Sequence, residues 1–247
     1  MVGACLQYLA AMRCLALVVL LAACATEMDV PEHDEPADFE VDPADGKADG
    51  LPPTFDRNFV VTDALLTDSL AMTVEDVEAF LADNPYGTRS WLASYEVDGT
   101  TAAEMIVESA VAHEINPVVL LARMQVETSL VSKTTAPSSR MLDRALGCGC
   151  PDGGACNASY SGLHRQLDCA GATLRRWYDA SIDANGEWRK GHTKSTLDPL
   201  RVTPGSHATA SFYAYTPWVL TGRGGTWLAW NVTRKYVRHA TETNLIH

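Results

Sequence analysis

The sequence predicts a mainly α-helical domain over residues 51–247, with a buried central helix and little or no β structure. Apolar residues recur at helical spacing, and capping residues stand before several of these runs. Alternation typical of a strand is limited to a short piece near 56–62. A stretch of this length is expected to form one domain with an ordinary core.

The first two helices are predicted from their caps. Residues 73–81 begin with a threonine and place apolar side chains on one helical face, and the turn-forming segment 84–87 ends that helix. Thr101 and Glu104 form a capping-box pattern, in which both side chains satisfy backbone N–H groups at a helix start. We expect this second helix to end near His113.

The third helix is predicted to lie in the centre of the domain. Asn116 is a favourable cap, and Pro117 suits the first helical position because no N–H is needed there. The residues that follow are apolar nearly all the way round the helix, which is typical of a buried helix. Glu127 stands near its end, and a carboxylate on a buried helix is costly unless it is paired or used.

The rest of the domain alternates between loops and helices. The glycine- and cysteine-rich segment 147–154 is predicted to be a loop, and a helix is expected over 162–181. Residues 182–204 show no period and indicate a long surface loop. Helical character resumes over 205–219, ending at Pro217, and a last helix carries Trp227 and Tyr236.

The N-terminal residues indicate export. Residues 1–23 hold one charge, Arg13, followed by an apolar core too short to span a bilayer. The segment ends in Leu-Ala-Ala before Cys24 and resembles a bacterial lipobox, which implies acylation of Cys24 and a lipid anchor in the cell envelope. Ala25 follows the cysteine, and by the same resemblance this favours the outer membrane. An ordinary secretory signal is the alternative.

Residues 24–50 have the composition of an acidic, disordered tether. They carry a net charge of −9 out of −12 for the whole chain, and apolar residues are too sparse to form a core. The acidic balance of the chain therefore belongs mainly to this segment. Neither the tether nor the domain is basic enough to indicate nucleic-acid binding.

Four stretches in register resemble one family. They are 72–81, 115–131, the cysteine-containing segment 145–166, and 208–217. Together they are similar to the lysozyme-like superfamily of secreted bacterial proteins, which includes lytic transglycosylases and endo-β-N-acetylglucosaminidases. The resemblance covers about 70 to 235 and implies a lysozyme-like helical fold.

The resemblance assigns the catalytic acid to Glu127. It also implies substrate-binding roles for five residues: Thr128, Tyr160, Gln166, Tyr213 and Tyr215. Because side chains two apart on a helix face differently, we expect one of the two late tyrosines to reach the site. Core packing of these tyrosines and an ordinary helical role for Gln166 are the alternatives. Arg123 and Arg165 depart from the family's usual residues.

The chemistry implied is cleavage of a glycosidic bond. The acid must be protonated near neutral pH, and burial raises the pKa of a glutamic acid toward that range. An Arg123–Glu127 pair one helical turn apart is the structural alternative, since a buried pair would hold Glu127 ionised. Asp143, Asp152 and Asp168 are candidates for a second carboxylate. None lies in a recognisable motif, which favours a single-acid, transglycosylase-type mechanism.

Four cysteines of the domain are expected to form disulfides, because the protein is predicted to be exported. Three pairings are possible from the sequence alone. The resemblance favours Cys150–Cys156, and the remaining pair is then Cys148–Cys169. A zinc site that includes His164 is the alternative, although the cysteine spacing fits zinc poorly.

These features predict a peptidoglycan-directed glycosidase that needs no cofactor and no metal. The alternative is a non-catalytic, surface-tethered domain that binds glycan or a partner protein through the same cleft.

Overall fold

The computed structural model describes residues 50–151 and 154–247. The predicted signal peptide, Cys24, the acidic tether up to residue 49, and Asp152 lie outside the described residues. Those predictions therefore stay predictions.

Eight α-helices and two hairpins form the regular structure of the described residues, which confirms the mainly α prediction. The helices are α1 (Asp63–Thr67), α2 (Val74–Ala82), α3 (Ala102–His113), α4 (Pro117–Thr128), α5 (Ser139–Leu142), α6 (Leu163–Ile182), α7 (His207–Tyr215) and α8 (Gly225–Glu242). The antiparallel hairpins pair β1 (Glu96–Val97) with β2 (Thr100–Thr101) and β3 (Lys194–Ser195) with β4 (Arg201–Val202). Trp91–Ser94 and Ala158–Tyr160 are 3₁₀ helices.

The predicted capping box at the start of α3 is confirmed. The Thr101 hydroxyl accepts the backbone N–H of Glu104, and the Glu104 carboxylate accepts the backbone N–H of Thr101. Thr73 and Asp76 form the same arrangement at the start of α2. Both helices therefore begin where the sequence places them, because their caps are local features of the chain.

The central position of α4 is also confirmed. Asn116 accepts the N–H of Val118, and every residue from Pro117 to Gln125 is buried. Helix α8 packs along α4, which also contacts α3 and α6, while α6 packs against α3 and α7. The apolar surface of α4 is thus enclosed on several sides, and the helix leaves the core only in its last turn.

The strand expected near 56–62 is wrong. Thr209 in α7 takes the place of a partner strand, because its hydroxyl oxygen lies 2.9 Å from the N of Val60 and 3.3 Å from the N of Val61. The Val61 carbonyl accepts the Ser206 hydroxyl at 2.6 Å. Side chains at the start of α7 therefore form the hydrogen bonds to the backbone of Val60 and Val61. A sequence pattern cannot reveal such contacts between distant residues.

The loop predicted over 182–204 contains the β3–β4 hairpin. The Asp198 carboxylate, at the tip of this hairpin, accepts the backbone N–H groups of Val219 and Leu220. Burial acts to raise the pKa of the Asp198 carboxyl, but hydrogen bonds from the Leu220 N–H, the Thr196 hydroxyl and the Val219 N–H lower it below its usual value. The hairpin is therefore shaped by a tertiary contact, which explains why its sequence shows no period.

Replacing Thr209 by valine should destabilise the fold. Thr209→Val keeps the branched shape but leaves the buried N–H groups of Val60 and Val61 without an acceptor, which costs about 1–3 kcal/mol. Urea denaturation measures the loss. Thr193→Val, at an exposed position, is the control and should change the stability by about 0.5 kcal/mol or less. Equal stability of the two variants would contradict the role assigned to Thr209.

Candidate functional site

Glu127 lies where the central helix emerges from the core. The buried part of α4 ends at Gln125, and Val126, Glu127 and Thr128 are partly exposed. The Glu127 side chain retains 29% of its exposed surface. Its backbone is thus fixed by the buried helix, and its carboxylate is accessible from outside.

Arg123 binds Glu127 from inside the core. Its side chain is 1% exposed, and its Nη2 donates to Glu127 Oε1 at 2.7 Å and to the Thr216 hydroxyl at 2.8 Å. The guanidinium also lies 4.2 Å from the ring centroid of Tyr215. A buried cation requires an anionic partner, and Glu127 supplies that charge to Arg123. Among the described residues, no hydrogen-bond acceptor reaches Nε or Nη1 of Arg123.

This geometry is the Arg123–Glu127 pair, one helical turn apart, that the sequence analysis gave as the structural alternative to a catalytic acid. The nearby guanidinium stabilises the ionised form of Glu127 by charge attraction. Burial, the effect expected to favour the protonated form, is weaker than expected because the Glu127 side chain is partly exposed. The Glu127 carboxyl is therefore paired with a buried guanidinium.

Both expected disulfides are present in the loop beside Glu127. Cys148 is bonded to Cys169 of α6, and Cys150 is bonded to Cys156 within the loop. The first disulfide fastens the loop to a core helix, and the second closes its tip. The zinc interpretation of these cysteines is wrong, because all four sulfurs are in disulfides.

Gln166 organises the same loop from inside. It is fully buried, and its Oε1 accepts the N–H groups of Leu146 and Cys148, each at 3.2 Å. Its Nε2 donates to the carbonyls of Cys148 at 2.7 Å and Tyr160 at 2.9 Å. The amide is therefore used in holding the loop, and the structure does not place Gln166 on an open cleft.

Gly147 brings the loop backbone against Glu127. It has a positive φ of 70°, and a Cβ added to it would lie 2.8 Å from Glu127 Oε2. Thr128 makes a second connection, since its hydroxyl lies 3.0 Å from the Met124 carbonyl and 3.1 Å from the Ala145 carbonyl. Thr128 thus joins the end of α4 to the loop, and its hydroxyl is already engaged.

The two late tyrosines separate as the helical spacing predicts. Tyr213 is fully buried and stacks on Trp188 with ring centroids 5.2 Å apart, so it is a core residue. Burial raises the pKa of Tyr213 above its usual value. Tyr215 lies beside Arg123 and Glu127, and its hydroxyl donates to the Leu146 carbonyl at 2.7 Å.

Tyr215 remains a neutral donor at ordinary pH. Burial raises the pKa of its hydroxyl most, the Arg123 guanidinium lowers it, and the Glu127 carboxylate raises it again. The hydroxyl fixes the loop backbone while the ring supports Arg123. Tyr215 therefore positions the carboxylate indirectly, through the loop and the cation.

Tyr160 is the most exposed of the predicted substrate-binding residues. It retains 38% of its surface, and its ring packs on Gly149, where an added Cβ would lie 2.4 Å from Tyr160 Cδ2. Of the predicted residues, Glu127 and Tyr160 thus offer the most accessible functional groups. Thr128, Gln166 and Tyr215 support the site.

Of the candidate second carboxylates, Asp143 and Asp168 lie among the described residues, and neither is hydrogen-bonded or ion-paired with Glu127 there. Asp168 on α6 lies 2.7 Å from His113 Nε2 of α3, so it belongs to an exposed interhelical pair. Asp143 follows α5 and is half-buried. Burial raises the pKa of the Tyr95 hydroxyl, and the charge of Asp143 raises it further. His164, named in the zinc alternative, lies 3.4 Å from Glu108. Across residues 50–151 and 154–247, no three side chains of His, Cys, Asp or Glu form a cluster able to hold a metal.

Sequence reasoning missed two supports of the site. The Thr216 hydroxyl accepts from the same Nη2 of Arg123 that binds Glu127, and Gly147 allows the loop to approach the Glu127 carboxylate. The turn residues around Gly147 indicated a loop, but nothing in the sequence indicated its contact with Glu127. The partner role of Thr216 depends on residues 93 positions apart and had no sequence signal.

Comparison with known proteins finds no matching protein-family model, no similar curated protein and no similar solved structure. Within the described residues, no single helix is long and apolar enough to cross a membrane. Only α3 and α4 taken together pass that test, as a pair bent by 116°.

Gly147→Ala should destabilise the protein more than Gly87→Ala. Both glycines have a similar positive φ, 70° and 67°, so both substitutions carry the backbone cost of about 1–2 kcal/mol. Only at Gly147 does the new methyl group meet a side chain, and displacing Glu127 weakens the bond to buried Arg123. We expect a further loss of about 1 kcal/mol or more in urea denaturation. Equal losses would show that the loop does not constrain Glu127.

Proposed function

We propose that residues 51–247 form a lysozyme-like, peptidoglycan-directed glycosidase that cleaves β-1,4 glycan bonds with Glu127 as its single acid. The observation that carries this proposal is the placement of Glu127. Its carboxylate is partly exposed at the end of a buried helix and is held between Arg123 and the disulfide-bonded loop. A rigid, accessible carboxyl group is what general acid catalysis requires.

The proposed reaction is of the lytic transglycosylase type. Protonated Glu127 donates its proton to the glycosidic oxygen as the bond from that oxygen to C1 of the sugar breaks. The 6-hydroxyl oxygen of the same sugar then bonds to C1 and returns a proton to Glu127. An anhydro product forms, no water is consumed, and no second carboxylate is needed.

Arg123 sets the condition under which this acid works. The bond at 2.7 Å favours the ionised carboxylate, whereas proton donation needs the protonated form. The protonated fraction rises as the pH falls, so cleavage should be fastest in acidic medium.

The predicted location is consistent with this substrate. A lipid anchor at Cys24 followed by a flexible acidic segment would tether the domain at the cell envelope, within reach of the wall. We propose the outer membrane as the site of the anchor, since Ala25 follows Cys24. The proposed partner is the peptidoglycan glycan strand.

Replacing Glu127 by glutamine should abolish cleavage. Glu127→Gln retains an oxygen that can accept from Arg123 but cannot donate a carboxyl proton, so we expect activity about 10²–10⁴-fold lower. The assay digests purified peptidoglycan sacculi and measures the soluble fragments by mass spectrometry. Anhydro and reducing ends differ by one water, so the same spectra distinguish transglycosylation from hydrolysis.

Glu78→Gln is the matched control. It makes the same change of one charge at an exposed position on α2 and should leave cleavage unchanged. Undiminished activity of Glu127→Gln would overturn the assignment of the acid.

Replacing Arg123 by methionine should extend cleavage to higher pH. Methionine fills a similar volume without charge, so the ionised form of Glu127 loses its stabilising cation. The acid then stays protonated at higher pH, and the falling limb of the pH–rate profile should move upward. An unchanged profile in a folded Arg123→Met variant would show that Arg123 does not control the acid.

A second function is favoured by the same Arg123–Glu127 bond. If the bond persists under all conditions, the domain would bind glycan strands without cleaving them. Wild-type protein would then sediment with sacculi and release neither anhydro nor new reducing ends at any pH. Release of fragments at acidic pH favours the enzyme, and sedimentation without release favours the binding domain.

A further inference from the structure

Two leucines are exposed at the tip of the β3–β4 hairpin. Leu197 retains 63% of its surface and Leu200 retains 37%. The tip is a tight turn, because the N–H of Thr196 donates to the Leu200 carbonyl at 2.9 Å and the Thr196 hydroxyl donates to the same carbonyl at 3.2 Å. The two leucines therefore lie within one turn of the chain. Single exposed leucines are ordinary, whereas neighbouring ones form an apolar patch.

The hairpin tip is fixed to the body of the domain. The Asp198 carboxylate accepts the N–H groups of Val219 and Leu220, with the shortest bond at 2.9 Å. The N–H of Leu197 donates to the Pro217 carbonyl at 2.8 Å. The carboxylate at the tip is thus used inside the fold, and the exposure of the two leucines belongs to a turn held by several hydrogen bonds.

A segment that carries Arg57 lies beside this tip. The Asn58 side-chain oxygen accepts the N–H of Thr203 at 2.8 Å, and the Asn58 carbonyl accepts the N–H of Gly205 at 2.6 Å. Arg57 and Leu200 line the same cavity, which has a volume of about 460 Å³. Because Arg57 is exposed, it adds a positive charge to the surface around Leu200.

Two more exposed arginines accompany the leucines. Arg201 directly follows Leu200, and the N–H of Arg223 donates at 2.9 Å to the carbonyl of Leu220, a residue whose own N–H binds the hairpin tip. In the part of the chain that the structure describes, no carboxylate forms an ion pair with Arg57, Arg201 or Arg223. Three uncompensated positive charges are therefore grouped around the apolar patch.

The charge of this part of the chain is opposite to that of the rest of the domain. Residues 186–224 contain five Lys or Arg and two Asp or Glu, whereas residues 51–185 contain nine Lys or Arg and eighteen Asp or Glu. Both acids of the basic segment are engaged, Glu187 with Lys194 and Asp198 with backbone N–H groups. The charges left free for a partner are thus positive.

We propose that the hairpin-tip surface, formed by Leu197, Leu200, Arg57, Arg201 and Arg223, binds an anionic lipid membrane. The leucines enter the boundary between headgroups and acyl chains, and the arginines bind lipid phosphates. An acidic polymer would satisfy the arginines but leave the leucines in water, whereas a membrane takes up both. The inference does not rest on the proposed cleavage of glycan, and it gives the domain its own contact with the envelope.

Sedimentation with lipid vesicles tests this surface. The protein used is the chain from residue 24 onward with Cys24→Ser, so that neither the predicted signal peptide nor an acyl group binds lipid. We expect it to bind vesicles of phosphatidylglycerol and phosphatidylethanolamine in a ratio of about 3:7, less strongly as salt is added. Binding to vesicles of phosphatidylcholine alone should be much weaker, because their surface carries no net charge.

Substitutions at the tip should weaken this binding. Arg201→Gln or Arg223→Gln should each lower partitioning onto the anionic vesicles about 5-fold, since each removes one charge near the lipid surface. Leu197→Ser should lower it about 10-fold, because an apolar side chain no longer enters the membrane. Arg140→Gln and Leu70→Ser are the matched controls, exposed residues outside the surface that should bind like the parent. Thermal unfolding verifies that every variant is folded.

Insertion of the tip has a readout of its own. The fluorescence of Leu197→Trp should be quenched by lipids with brominated acyl chains more strongly than that of the parent. Leu70→Trp, at a residue that is 74% exposed, is the control and should be quenched no more than the parent. Equal quenching of the two tryptophan variants would contradict insertion of the hairpin.

The other possible occupants give different results. Absence of binding to anionic vesicles, or binding that no substitution at the tip weakens, overturns the proposal. A dimer in solution that Leu197→Ser dissociates would assign the surface to a second copy of the chain. Vesicle binding that appears only when residues 25–49 are removed would assign the surface, in the intact chain, to its own acidic segment. Either of these two results also overturns the membrane as the occupant.

Discussion

The burial of one positive charge beneath the end of the central helix governs the candidate site. Arg123 is almost completely enclosed, so it requires an anion within reach of its guanidinium. Glu127, one turn later, is the residue where α4 reaches the surface, and it supplies that anion. Thr216 and the ring of Tyr215 complete the surroundings of the cation. The guanidinium thus connects the end of α4 with the end of α7. Glu127 extends this connection to the disulfide-bonded loop.

The loop has its own network, which converges on the same carboxylate. Gln166 holds the loop by four hydrogen bonds from inside, and the disulfides hold it covalently. Tyr215 binds the Leu146 carbonyl, so Leu146 is held through both its N–H and its C=O groups. Such a loop gives Glu127 a fixed boundary at Gly147. A precisely positioned carboxyl group requires this kind of support, whether it cleaves a glycan or only binds it.

The Arg123–Glu127 bond compensates a buried charge, but it also opposes the protonation of Glu127 that general acid catalysis requires. Protonating Glu127 prepares the proposed acid, but it also removes the negative charge that compensates Arg123. The cation would then rely on the Thr216 hydroxyl and the Tyr215 ring, which are weaker partners for a buried charge. Cleavage thus needs protonated Glu127, whereas buried Arg123 needs ionised Glu127, and the pH decides between these two forms.

The sequence by itself determined the features that depend on neighbouring residues. Capping boxes, the proline at the start of α4 and the apolar surface of that helix act within a few residues, so the helix starts and the buried centre were predictable. The i, i+4 spacing of Arg123 and Glu127 also identified their pairing as an alternative. Resemblance, together with the number of cysteines, led to the two disulfides.

Only the tertiary structure decided which groups are free to act. Thr209 replaced a strand partner for Val60 and Val61, and Gln166 turned from a predicted cleft residue into the internal support of a loop. Tyr213 and Tyr215 were separated into a core residue and a support of Arg123. Each outcome depends on contacts between residues far apart in the chain, which set burial and hydrogen-bond partners. A residue pattern specifies neither, because the same amide or hydroxyl can satisfy a backbone group or face a ligand.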